Sequence, residues 1–201
     1  MNIAVFLLML VLPVQSAQTL TDARRLYDAG KYREAIDAVS SASSEGQTEA
    51  RLLYLVAQSR EKLNDAEGAR RIYEQLANRG DGDPWRFVGR SALSLRERDF
   101  ANALAAANDA VMRGPRVAEA HYQLGLVHSF REDFAKAAAA FERATELDPT
   151  FGYAHFYAGL SYYKAKRIDL MASHFEAFLK LAPEAPERPE VESIMRTVRG
   201  R

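Results

Sequence analysis

Four histidines, His121, His128, His155 and His174, are the residues of this chain best suited to bind a metal or move a proton. His121 and His128 stand seven apart, two turns along one helix, so ~10 Å separates them and one ion cannot bridge both. His155 and His174 fall on different helical segments with no carboxylate cluster placed to join them. All four are therefore expected at packing or edge positions. Asp81-Gly82-Asp83 lacks the spaced third ligand and the downstream Glu of a calcium loop. Arg79-Gly80-Asp81 is the tripeptide of adhesion ligands, a weak signal that lies in a turn before Pro84. The absence of cysteine excludes disulfides, thiolate zinc sites, cysteine nucleophiles and an acylated cysteine. The sequence contains no Gly-rich phosphate loop, no Gly-x-Ser-x-Gly elbow and no His-Glu-x-x-His helix. These residues predict neither an enzyme, nor a metal site, nor a cofactor.

Charge narrows the partners. Lys+Arg and Asp+Glu are equal at 27 each, and no run of five like charges occurs. Bulk electrostatics thus offer nothing to nucleic acid or anionic lipid. The first residues form a separate object. Ile3 to Val14 are almost wholly apolar and uncharged, and the small residues Ser16 and Ala17 follow. Twelve residues rise only ~18 Å as a helix, short of a bilayer core of ~30 Å. The pattern predicts a secretory signal over residues 1–17, cleaved after Ser16 or Ala17, with an uncleaved anchor as the alternative. Export to the periplasm, with no transmembrane span left after cleavage, is the expected location.

The rest of the chain repeats. Residues 118–150 align without gaps on 152–184, an offset of 34 that places His121 on His155, Gly125 on Gly159 and Phe141 on Phe175. Stepping back keeps the register. One column reads Ala23, Ala57, Ser91, Gly125, Gly159, all small; another reads Ala35, Ala69, Ala103, Ala137, Met171. Pro115, Pro149 and Pro183 close the last three units. Five units tile 16–49, 50–83, 84–117, 118–151 and 152–185, each a helical hairpin whose small residues let its helices cross closely. Polar pairs mark the hairpin turns: Gly30-Lys31, Asn64-Asp65, Arg98-Asp99, Glu132-Asp133 and Lys166-Arg167. Gly125→Leu should overpack its crossing, whereas Gly125→Ala should be mild because Ala favours helix by about 1 kcal/mol. Val191, Ile194, Met195 and Val198 share one helical stripe, so 187–199 reads as a capping helix within a C-terminal segment 186–201.

The period, with Leu124-Gly125, Phe134, Ala137, Phe141, Ala144 and Pro149, resembles the tetratricopeptide repeat family over about residues 18–185. His121 and His155 stand where that family favours Trp, Phe178 where it favours Ala, and Asp22 and Arg90 where it favours Leu. The resemblance implies an all-α solenoid of five hairpins, right-handed, with its concave side lined by the first helix of each unit. Residues spaced 3, 4 and 3 apart on those helices share a face. It carries Tyr54 in unit two, Trp85 in unit three, Tyr122 and Leu126 in unit four, and Tyr153, Phe156, Leu160 and Tyr163 in unit five. These eight residues are the expected groove for a protein or peptide partner, with Phe156 the most buried of its set and Tyr163 the more exposed. The alternative for the same face is ordinary packing between neighbouring first helices. The functional expectation is an envelope adaptor. Its rivals are a self-associating assembly subunit, hence a homo-oligomer, and a peptidoglycan- or glycan-binding protein that uses the aromatics as sugar platforms.

Overall fold

A computed structural model describes residues 17–42 and 49–199, all helix and short connection. The apolar segment 3–14 lies outside them. Helix α1 covers 17–28. There follow α2 (Tyr32–Ala42), α3 (Ala50–Lys62), α4 (Ala66–Ala77), α5 (Pro84–Arg96), α6 (Phe100–Arg113), α7 (Ala118–Phe130), α8 (Phe134–Leu147), α9 (Gly152–Lys164), α10 (Ile168–Leu181) and α11 (Arg188–Arg199). The fold is an all-α solenoid of five hairpins with a terminal helix. From α3 onward every first helix starts 34 residues after the last, at Ala50, Pro84, Ala118 and Gly152. Second helices start at Tyr32, Ala66, Phe100, Phe134 and Ile168 with the same step. Among the described residues no helix is long and apolar enough to cross a membrane.

The hairpin turns share one device. Gly30, Asn64, Arg98, Glu132 and Lys166 all have φ between 59° and 75° and sit one repeat apart. Each ends its first helix in a paired hydrogen-bond pattern. At the fourth turn Asp133 N–H donates to the His128 carbonyl at 2.9 Å and Glu132 N–H to Ser129 at 3.0 Å. This is the left-handed termination that satisfies orphan helix carbonyls, and it favours Gly. Only the first turn has Gly there. A left-handed residue with a Cβ costs ~1–2 kcal/mol, while Gly loses ~0.5–1 kcal/mol more entropy on folding. Glu132→Gly and Lys166→Gly are each expected to raise stability by roughly 0.5–1 kcal/mol, read as a higher denaturant midpoint. The next residue starts the second helix. Asp65 accepts from the Gly68 N–H at 2.9 Å, and Asp99 accepts from the Asn102 N–H at 3.1 Å. Those N–H bonds are the main reason both carboxyls are held below the usual range.

The described chain clusters into two compact units that divide at Ile72–Tyr73. In the first, α2 packs on α3, and Ala23, Tyr27, Ala35, Val39, Leu52 and Leu55 are buried. In the second, each of the pairs α5/α6, α7/α8 and α9/α10 packs as a hairpin, and successive hairpins join through α6/α7 and α8/α9. The small column does what its residues suggest. A Cβ on Gly125 would lie 2.7 Å from the Phe141 ring, and one on Gly159 would lie 2.5 Å from the Phe175 ring. Ser91, in the same column, donates its hydroxyl to the Ala103 carbonyl at 2.9 Å across the α5/α6 crossing. The expectation that Gly125→Ala is mild is corrected here: the ring it would strike is fully buried. At the C-terminus α11 packs on α10, with Val191 and Met195 buried and Ile194 and Val198 half-buried.

Candidate functional site

The expected groove residues separate into two groups. Tyr54, Tyr122, Tyr153 and Phe156 are buried in the monomer, at 1%, 2%, 1% and 6% exposure. Trp85, Leu126, Leu160 and Tyr163 are half-buried. The first group is therefore core, and its assignment to an open groove is corrected. For Tyr122, Tyr153 and Phe156 the cover comes from the connection before α9, from α9 and α10, and from the residue before α11. Phe151, in the connection before α9, stacks on Tyr122 with ring centres 4.7 Å apart, and Tyr157 meets it edge-on at 5.8 Å. Tyr153 packs against Phe178 at 5.9 Å and donates its hydroxyl to Glu187 at 2.5 Å. Phe156 lies 5.2 Å from Phe178. Tyr153 is thus more deeply buried than Phe156, while Tyr163 keeps more exposure than either.

An open cavity of about 280 Å³ lies at the meeting of α7, α8 and α9. Leu126, Phe130, Phe134, Tyr157 and Leu160 line it, with Ser129, Ser161 and Lys164 completing the wall. Phe130 is 61% exposed, an unusual state for so large an apolar side chain at the lip of an apolar hollow. Two of the expected groove residues, Leu126 and Leu160, are in this wall. Trp85 and Tyr163 are not among its lining.

The repeat register explains why the hollow exists. One repeat earlier, Leu95 and Val127 occupy the places of Ser129 and Ser161. There Val127 is fully buried with Ala103 and Ala107, and Leu95 packs against that cluster. Replacing Leu and Val by two serines removes side-chain volume from the next crossing. Phe141, where the earlier repeat has Ala107, returns part of that volume more deeply. The first-helix face of unit four includes Ser129 by its spacing, but the expected groove set left out both Ser129 and Ser161 because it followed the large residues of each column. The signal was the opposite: a loss of size at two positions within one register step. Among the described residues neither serine hydroxyl has a hydrogen-bond partner, unlike Ser59, which donates to the Leu55 carbonyl at 2.9 Å.

The histidines occupy structural places. His121 Nε2 lies 3.1 Å from the Pro115 carbonyl, and His155 Nε2 lies 3.3 Å from the Pro149 carbonyl. Both rings stand where the family resemblance leads one to expect Trp, and both use the polar edge to tie down the connection six residues back. Burial pushes both imidazoles below their ordinary value, against the opposing effect of that carbonyl bond. Burial also lowers His128, although Asp133 faces it at 3.7 Å and acts the other way. Arg90 stands at another position that departs from the family pattern, and it is exposed, 5.8 Å from the Phe87 ring centre.

Helical hairpins of constant period, packed in succession from α5 to α10, define a helical repeat protein of the solenoid class. Tetratricopeptide repeat profiles match residues 20–84, 118–151 and 153–185. The chain belongs to the tetratricopeptide repeat family. The structure is similar to that of TTC0263, a thermophilic TPR protein of Thermus thermophilus, with TM-score 0.61 and 25% identity, covering 90% of this chain and 98% of that chain. It shares the fold of YrrB, described as a TPR protein with an unusual peptide-binding site, with TM-score 0.53 and 16% identity over 87% of this chain and 90% of that one. The fold also matches MamA with TM-score 0.50 and 18% identity over 78% of this chain and 91% of that chain. No curated protein sequence gives a significant match.

Proposed function

We propose that this protein is a non-enzymatic scaffold that holds a segment of a partner protein, with one bulky apolar side chain of that segment seated in the cavity between α7, α8 and α9. The observation that carries the reading is the cavity itself, apolar in its lining and flanked by the exposed Phe130. A buried apolar anchor in a well-shaped pocket is the usual centre of a binding surface. The family supports it, since tetratricopeptide repeats commonly serve protein–protein interaction, and YrrB is described as having a peptide-binding site. Periplasmic action rests on the apolar segment 3–14 followed by Ser16 and Ala17. Mass spectrometry of protein made in its native host should give a mature N-terminus at Ala17 or Gln18. An intact Met1 would remove the location and leave the binding role untouched.

The register supplies the test. Ser129→Leu with Ser161→Val restores the side chains that the preceding repeat already packs. The double variant should keep or raise its melting midpoint, because it fills apolar space. Crosslinking capture from envelope fractions should recover one protein with the wild type, and the variant should bind it about tenfold less tightly or worse. Equal binding by the filled variant would move the site elsewhere. Self-crosslinks alone would favour a homo-oligomer.

A further inference from the structure

One cluster has no part in the cavity. His155 Nδ1 on α9 and His174 Nδ1 on α10 are 3.1 Å apart, with ring centres at 5.3 Å. His174 is buried and stacks on Tyr162 at 5.6 Å. The Tyr162 hydroxyl donates to Glu142 of α8 at 2.6 Å. With two imidazoles and no third metal-ligating side chain among the described residues, the cluster does not form a closed metal site.

The hydrogen-bond chain fixes where each proton sits. The Pro149 carbonyl can only accept, so His155 Nε2 carries a hydrogen. In neutral His155 the Nδ1 is then a bare lone pair, and His174 must donate its Nδ1–H to it. A first added proton can enter at His174 Nε2 without disturbing this bond. A second must enter at His155 Nδ1, which puts two N–H groups head to head and two positive charges side by side. We propose that the His155–His174 contact is a proton-operated latch on the last hairpin, closed until both rings are charged and broken by the second proton.

The surroundings set the direction. Facing His174 are His155 and Tyr162 from α9 and Glu142 from α8; facing His155 are His174 from α10 and Asp148 from the connection before α9. Burial is the largest influence on both rings and lowers both from the ordinary 6.5; His155 lowers His174 further, whereas Glu142 and Asp148 oppose. Burial and Glu142 push the Tyr162 phenol far above its usual range, so it stays a donor throughout. Above 6.5 both rings are neutral whether the chain is folded or unfolded. As pH falls below that value the unfolded chain binds protons first, so the hairpin's stability is full above 6.5 and is lost as pH falls through the lower folded values.

The experiment is an imidazole NMR titration of the full chain, with amide hydrogen-exchange protection measured at each pH. The pair should take up its first proton with the contact intact and its second at lower pH, and protection of α9 and α10 should then drop about tenfold or more relative to α5 and α6. Independent titration of the two rings at the ordinary value, or flat α10 protection while they titrate, would overturn the latch. His155→Gln can keep a donor toward the Pro149 carbonyl while removing the second titration. It should abolish the extra acid loss in α9 and α10. Persistence of that loss would reject the latch.

Discussion

Gly159→Ala is expected to lower stability by about 1–3 kcal/mol, although Ala is the better helix former. Two effects compete. Helix propensity favours Ala over Gly by about 1 kcal/mol in an exposed helix interior. Against that, the new Cβ would stand 2.5 Å and 2.6 Å from two atoms of the Phe175 ring, closer than real Cβ atoms approach anything. The ring cannot yield cheaply. Phe175 is fully buried, with fully buried Met171 and Phe178 one turn to either side on α10. Helices α9 and α10 must therefore separate, or the ring must leave its preferred rotamer. Gly80→Ala is the control, since a Cβ there meets nothing within 4 Å. Unfolding of a repeat array need not be two-state, so the reading should be local: exchange protection in α9 and α10 together with the melting midpoint. An unchanged midpoint for Gly159→Ala, with Gly80→Ala also silent, would show that the crossing is looser than the geometry states.

The framework was legible from sequence because repetition amplifies weak signals. No single small residue announces a helix crossing, but Ala23, Ala57, Ser91, Gly125 and Gly159 at one register do. The turn pairs were legible as polar punctuation. Their left-handed residue was not, because Arg98, Glu132 and Lys166 are types that seldom adopt such a φ. The site was legible only in part. A helical wheel groups Tyr122 and Tyr153 with one face of their first helices, yet it cannot say what covers that face. The cover comes from residues distant along the chain, Phe151 and Tyr157 over Tyr122, and Phe178 and Glu187 over Tyr153. The opening, in turn, came from two serines that no search for large apolar residues selects.

Tyr153→Ala is expected to be the most damaging of the aromatic truncations, at about 3–5 kcal/mol. The ring is 1% exposed and contacts Phe156, Tyr157 and Phe178, so truncation leaves a void lined by rigid aromatics that collapse poorly. It also removes the hydroxyl that the Glu187 carboxylate accepts, immediately before α11 begins at Arg188. The terminal helix should therefore fray with the last hairpin. Tyr153→Phe separates the two parts. It keeps the ring and removes only the hydroxyl, so it should cost about 0.5–1.5 kcal/mol and loosen α11 more than α9. Tyr163→Ala, on the same face but half-exposed, should cost no more than about 1 kcal/mol. Partner binding completes the comparison. If the partner sits in the cavity of Leu126, Phe130 and Leu160, Phe130→Ala should weaken the complex by about 1–3 kcal/mol with little effect on folding. Tyr153→Ala should then weaken binding only as far as it unfolds α9. A folded Tyr153→Ala protein of normal stability that no longer binds would return Tyr153 to the binding surface and overturn its placement in the core.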